Sequence, residues 1–142
     1  MHPVPVPLAD APCLLVRPSL RAPAGFPSPA DDDLEDGLDL HGYLVRRPAA
    51  TFVMQVDGDS MRDAGILSGD LVVIDKAEEP APGRIVIAVQ LGEFTIKRLV
   101  RDRDGRHWLC PENKSRPELK PIPCLEDCEL WGVVVGCVRR LA

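Results

Sequence analysis

Residues 83 to 100 read Gly83-Arg84-Ile85-Val86-Ile87-Ala88-Val89-Gln90-Leu91-Gly92-Glu93-Phe94-Thr95-Ile96-Lys97-Arg98-Leu99-Val100. Two runs rich in valine and isoleucine, Arg84 to Gln90 and Glu93 to Val100, flank the dipeptide Leu91-Gly92. β-branched and aromatic side chains suit a pleated surface, and a glycine in a two-residue connection supplies the positive φ that a tight hairpin needs. The stretch predicts two antiparallel strands. Outward from it the same texture recurs at Thr51 to Val56, Asp70 to Asp75, Arg106 to Cys110 and Leu130 to Val138, with Gly, Pro or Asp between the runs and a second turn expected at Asp102 to Gly105. The expected fold class is mostly β, a compact domain of strongly curved antiparallel sheets without an internal repeat.

Within the opening stretch, Lys97 and Arg98 are neighbours on a strand and must point to opposite faces. If one face is core, one of the two cations is directed inward or into a cleft. Lys97 shares its face with Thr95 and Leu99, and Arg98 shares its face with Phe94, Ile96 and Val100, so the pattern does not choose between them. A lysine that loses its water has its charged form disfavoured and its pKa lowered, which makes a neutral amine available to deprotonate a hydroxyl. The alternative is an edge lysine whose stem covers apolar surface while its head stays wet.

On the N-terminal side, eight of the fifteen prolines fall within the first 29 residues. That density forbids a regular helix and favours extended backbone, so residues 1 to 39 are expected to be a tail and residues 40 to 142 the folded domain. It also excludes an N-terminal helix-turn-helix, which would need three helices in that space. The formal charge of -5 is local: residues 1 to 30 carry +1, residues 31 to 39 carry -6 through Asp31, Asp32, Asp33, Glu35, Asp36 and Asp39, and residues 40 to 142 carry none. A neutral body with an acidic neck has no basic face on which phosphate contacts could dominate, so direct sequence-specific DNA binding is not expected. Asp39 is placed to cap a short helix carrying Leu40, Tyr43 and Leu44 and ending near Arg47, because Pro48 follows.

The five cysteines, Cys13, Cys110, Cys124, Cys128 and Cys137, are odd in number and lack the paired Cys/His spacing of a zinc site. Reduced thiols in a cytoplasmic protein are the expectation. No run approaches the roughly 18 apolar residues of a membrane span, and prolines stand where a signal peptide needs an apolar run. Neither a membrane partner nor a metal or other cofactor is expected.

Ser60 lies in Val56-Asp57-Gly58-Asp59-Ser60-Met61-Arg62-Asp63, between a predicted strand and the turn ending at Gly65. Two readings are open for it. A serine at such a step can present its hydroxyl beside backbone N–H groups, as acyl chemistry requires. Equally, with Asp63 three residues on, Ser60 resembles a helix-start cap. Histidine offers no competing base, since nothing in the sequence brings His2, His41 or His107 to Ser60.

Taken together, Gly58-Asp59-Ser60-Met61, Gly69-Asp70-Leu71-Val72-Val73-Ile74-Asp75, Gly83-Arg84-Ile85-Val86-Ile87-Ala88, Gly92-Glu93-Phe94-Thr95-Ile96-Lys97-Arg98-Leu99 and Leu130-Trp131-Gly132-Val133-Val134 resemble, in order and spacing, the LexA and UmuD family of self-cleaving Ser-Lys proteins. The resemblance runs from about Ala24 to Leu141. It is weak across Arg101 to Trp108 and absent from residues 1 to 22. It implies a LexA-like C-terminal domain with a short N-terminal helix and an extended tail. It also implies that Ser60 is the nucleophile, that Lys97 is the base, and that the bond cut is Ala24-Gly25, ahead of Gly25-Phe26-Pro27-Ser28-Pro29. The family further implies a homodimer, stimulation by a RecA filament on single-stranded DNA, and assembly of the trimmed chain with a UmuC-type polymerase for error-prone lesion bypass in the SOS response. Two other readings keep the same fold: a non-proteolytic polymerase-binding module, and a phage-repressor-type fragment whose DNA-binding part lies elsewhere.

The expected scissile bond is 36 residues from Ser60. A flexible chain of that length spans about 30 to 36 Å, so reach does not prevent a chain from cutting itself.

Overall fold

The structure, a computed structural model, describes residues 3–8, 14–18 and 34–142. The expected scissile pair Ala24-Gly25, along with His2, Cys13 and Asp31 to Asp33, lies outside the described residues. Ten strands and one α-helix follow in chain order: β1 (Val6–Pro7), β2 (Leu14–Pro18), β3 (Leu34–Asp39), α1 (Leu40–Leu44), β4 (Thr51–Gln55), β5 (Leu71–Asp75), β6 (Ile85–Gln90), β7 (Glu93–Arg101), β8 (His107–Cys110), β9 (Ile122–Pro123) and β10 (Glu129–Val138). They fall into two compact units, residues 3–8 with 47–142, and residues 14–18 with 34–46.

The larger unit is one antiparallel sheet in the order β1-β4-β5-β10-β6-β7-β8-β9. The mostly β, LexA-like expectation holds, and the expected strands agree with the observed ones to within a residue at each end. In the opening hairpin Gln90 faces Glu93, and both connecting residues adopt positive φ, Leu91 at 50° and Gly92 at 78°. Two consecutive positive values match the right-handed twist of the flanking strands. Leu91, 92% exposed, is a non-glycine residue that adopts this left-handed backbone.

β10 holds the sheet together. Its first half pairs with β6 and its second half with β5, so that Val133 faces Val86 on one side and Asp75 on the other. Register shifts between Leu130 and Gly132 and between Val134 and Gly136 mark irregularities of the kind that bend a strand and increase its twist. Two cores form accordingly. Ile87 and Ile96 pack with Met54, Met61, Val72 and Ile74. Val86 and Ala88 pack with Leu99, Leu109 and Val133. Because β6 is covered on both faces, its sequence is continuously apolar rather than alternating.

Several features differ from the sequence expectation. The described N-terminal residues, 3–8 and 14–18, include extended backbone, but that backbone forms strands. Val6 and Pro7 pair with Val53 and Phe52 at the sheet edge, where a proline's missing N–H is tolerated, and Leu8 N donates to Thr51 O at 3.3 Å. In the smaller unit Leu14–Pro18 pairs antiparallel with Leu34–Asp39. β9, a two-residue strand against β8, was likewise not expected. Asp39 caps α1 as expected, its Oδ1 accepting from Gly42 N at 2.9 Å. The helix nevertheless stops at Leu44 instead of near Arg47, because Val45 and Arg47 already adopt non-helical φ and ψ ahead of Pro48.

The expectation of reduced thiols is corrected at one pair. Cys124 and Cys128 form a disulfide, their spacing in the turn before β10 bringing the Cα atoms to 5.3 Å. Cys110 and Cys137 are free thiols.

Gly132 marks the tightest point of the β10 crossing: a Cβ there would meet Ile74 Cγ2 at 2.6 Å. Gly132→Ala is therefore expected to lower the unfolding free energy by about 1 to 3 kcal/mol through overpacking. Chemical denaturation checks this, and an unchanged midpoint would contradict the packing described.

Candidate active site

Ser60 stands on a turn that the neighbouring core holds in place. β4 runs into Val56, whose N–H donates to Asp70 O and whose carbonyl accepts from Gly69 N, each at 2.8 Å. The chain then turns at Gly58, whose N–H donates to Ser68 Oγ at 3.2 Å, and enters a 3-10 helix at Arg62–Ala64. Met61 anchors this turn. Only 1% exposed, it packs into the first core and fixes the residue before it. The capping alternative for Ser60 does not hold: Met61 occupies the N-cap position of the 3-10 helix, and no side chain caps it.

The Ser60 hydroxyl meets Lys97 instead. Lys97 Nζ lies 3.2 Å from Ser60 Oγ, within reach for proton transfer. Nζ also donates to Thr95 Oγ1 at 2.9 Å and to Ile96 O at 3.1 Å. Thr95 is two residues back on β7 and so shares the face of Lys97.

The conflict between the two adjacent cations resolves through their partners. Arg98 is held two-pronged by Glu112, with Nη2 to Oε1 at 2.8 Å and Nε to Oε2 at 3.1 Å, and Nη1 donates to Gly83 O at 2.8 Å. Its pKa is raised, first by the hydrogen bond to Glu112. Lys97 has no carboxylate partner among the described residues, and loss of water on burial pulls its ammonium below the ordinary lysine range. One cation is therefore compensated and the other is left with neutral oxygen partners, an environment suited to an amine that gives up its proton.

The thiols and imidazoles among the described residues are not arranged this way. Cys137 donates to Asp70 Oδ2 at 3.3 Å, and burial followed by that bond pushes its thiol up to about 11. Burial and neighbouring Glu112 also raise Cys110. Thiols shifted upward carry little thiolate near neutrality. His41 is on α1 of the smaller unit, and His107, on β8, pairs with Arg101 of β7. Among the described residues no cluster of His, Cys, Asp and Glu is suited to a metal ion, and no helix is long and apolar enough to cross a membrane.

Two participants went unassigned in the sequence. Thr95 was legible as a face-mate of Lys97 but had no stated role. Glu112 and its neighbours had no local signal at all, since they reach Ser60 only through tertiary pairing.

A family profile described as Peptidase S24-like matches residues 15–135. The chain belongs to the peptidase S24-like family. Among its relatives are the protein SamA of Salmonella typhimurium, 50% identical over 120 residues covering 84% of this chain and 81% of SamA, and the protein ImpA of Escherichia coli, 48% identical over 128 residues covering 88% and 85%. The protein MucA of Escherichia coli is 44% identical over 114 residues, covering 80% of this chain and 77% of MucA. These matches establish the resemblance to UmuD-like proteins. Membership in a peptidase family also gives the paired hydroxyl and amine a general chemical context, that of a serine-type hydrolase.

The desolvated amine should leave a mark on stability. A group whose folded-state pKa is depressed binds fewer protons folded than unfolded, so stability rises with pH between the folded value and the ordinary lysine value. Relative to Lys97→Met, which removes the buried charge, the wild type should gain stability as pH rises from 7 to 10. Parallel denaturation series check this, and a constant difference would contradict desolvation of Lys97.

Proposed function

We propose that the chain is a self-cleaving serine endopeptidase in which Ser60 attacks, Lys97 is the base, and the bond cut is Ala24-Gly25. The observation that carries the reading is the 3.2 Å approach of Lys97 Nζ to Ser60 Oγ in a chain of the peptidase S24-like family.

The chemistry follows from the groups at hand. Neutral Lys97 takes the proton of Ser60 as Oγ bonds to the carbonyl carbon of Ala24. Charge develops on the carbonyl oxygen, and the Ser60 N–H, which donates to no group among the described residues, is available to it. The carbon–nitrogen bond then breaks, and Lys97 returns the proton to the Gly25 amine. Water next attacks the acyl-serine with Lys97 taking its proton. The Ala24 carboxyl is released and the Ser60 hydroxyl restored. Thr95, bonded to Nζ, keeps the amine aimed throughout.

Cutting at this position would separate residues 1 to 24, which include both β1 and β2, from their partners β4 and β3. Trimming thus removes the covalent tie that keeps an edge strand on the large sheet and one strand in the small unit. The family resemblance supports the wider assignment: a cytoplasmic homodimer, stimulated by a RecA filament on single-stranded DNA, whose trimmed form serves a UmuC-type error-prone polymerase in the SOS response. Direct sequence-specific DNA binding has no part in it.

Incubating wild type, Ser60→Ala and Lys97→Ala with RecA, single-stranded DNA and a nucleotide tests this reading. Wild type should yield a new N-terminus at Gly25, and each variant should lose activity by about 10³-fold or more. Without RecA, cleavage should accelerate with pH and level off below the ordinary lysine range, in keeping with the lowered Lys97 pKa. A purely non-proteolytic module would leave only full-length chain, and a flat rate from pH 7 to 10 would remove Lys97 as the base.

A further inference from the structure

The Ser60 turn and the Lys97 strand are far apart in sequence, and the segment after β8 joins them. Glu112 N donates to Ser60 O at 2.7 Å, and Glu112 O accepts from Asp63 N at 2.8 Å. Its backbone therefore grips the turn on either side of Met61. Its carboxylate meanwhile receives both Nη2 and Nε of Arg98, the residue next to Lys97 on β7. The same segment adds further ties to the turn. Buried Asn113 donates from Nδ2 to Asp59 O at 2.8 Å, its Oδ1 fixed by Ser115 N and Oγ. Lys114 N donates to Asp63 Oδ2, and Arg116 pairs with Asp59.

The β7–β8 ladder sets Cys110 opposite Arg98 and ends there, which leaves one further link to be made between β7 and residues 112 to 116, the residues that grip the turn. The Glu112–Arg98 contact supplies that link, because a planar guanidinium and a carboxylate joined at two points resist both sliding and rotation. Among the described residues, Arg47 joins Asp75 and Glu78, Arg139 joins Asp70, and Arg116 joins Asp59 and Glu118, so these pairs do not tie β7 to the segment after β8.

We propose that Glu112 is a positioning residue that, through Arg98, sets the separation between the Ser60 hydroxyl and the Lys97 amine. The proposal rests on the reading of Ser60 and Lys97 as the reacting pair. Glu112 touches neither group with its side chain. A slip of about 1 Å between the two elements would take Nζ out of reach of Oγ, and misplacement on that scale costs roughly 10²-fold in rate.

The test uses the purified full chain and a fluorophosphonate that labels an activated serine, so that the reading does not depend on tail docking. Labelling is followed at a temperature where circular dichroism shows each variant folded. Glu112→Gln and Arg98→Gln should each slow labelling about 10-fold or more. The double variant should lose no more than either single one, as expected of two residues acting as a unit. The exchanged pair, Arg98→Glu with Glu112→Arg, should recover part of the rate. The pH of half-maximal labelling should also move upward in Glu112→Gln, because a displaced amine regains water. A segment that merely stabilises the fold would move the melting temperature and leave the labelling rate and its pH profile of the folded protein unchanged.

Labelling of folded Glu112→Gln at the wild-type rate overturns the proposal. Should that variant not fold, Arg98→Lys, which keeps the charge and gives up the two-point contact, takes its place with the same expectation and the same contradiction. Lys97→Ala separates the two levels. If it labels slowly while Glu112→Gln labels at the wild-type rate, the positioning role fails alone. If Lys97→Ala itself labels at the wild-type rate, the reacting pair fails and the positioning role with it.

Discussion

A lysine amine that burial deprives of water, with no carboxylate partner among the described residues, sits against a serine hydroxyl, and the surrounding structure serves to keep it there. Placing an ammonium in such an environment opposes folding, because the hydration it gives up is only partly replaced by the hydroxyls of Ser60 and Thr95 and the carbonyl of Ile96. The fold tolerates this at Lys97 and avoids it at Arg98. The adjacent guanidinium, always charged, has a two-point carboxylate partner. The more readily deprotonated of the two cations thus occupies the less compensated place. That division of roles links the sheet's packing to the site's chemistry.

Holding the amine requires a rigid β7, and β7 is rigid because of what lies behind it. β6 pairs with β7 along its length and is buried on both faces, with Val86, Ile87 and Ala88 fully covered. β10 then joins β6 to β5, and β5 pairs with β4, the strand that delivers the chain to Ser60. The turn that carries Ser60 and the strand that carries Lys97 are thus joined through β4, β5, β10, β6 and β7 of one hydrogen-bonded sheet. Gly132 permits the close approach of β10 to Ile74, and Trp131 beside it packs edge-on against Phe52 and Phe94 at 5.0 and 5.6 Å, on β4 and β7 respectively. The segment at Glu112 closes the loop on the far side.

Strands with local signatures were legible in the sequence. The apolar run of β6, the Leu91-Gly92 turn and the aromatic and β-branched texture of β4, β5, β7 and β10 each declare themselves within a few residues. So does the Asp39 cap. Features that depend on distant partners were not legible. Val6–Pro7 and Leu14–Pro18 read as extended proline-rich chain, and nothing local distinguishes extended chain from a strand that finds an edge. Ile122–Pro123 is too short to carry a period. The Cys124–Cys128 bond depends on a turn that brings two Cα atoms together, which the spacing alone did not decide. At the site, periodicity showed that Lys97 and Arg98 must part company but not which would be left without a counter-charge, because the deciding carboxylate, Glu112, comes from beyond the next strand. Family resemblance named Lys97, and the environment of each side chain explains why it suits that position.

The central claim concerns the protonation of one amine in the folded chain. With isotope-labelled lysine side chains, the ε-methylene resonance of Lys97, assigned by comparison with Lys97→Met, can be followed by NMR as pH is raised. Here it should titrate clearly ahead of the resonances of the chain's other lysines, because burial disfavours its charged form. A Lys97 resonance that moves together with those of the other lysines would contradict the account.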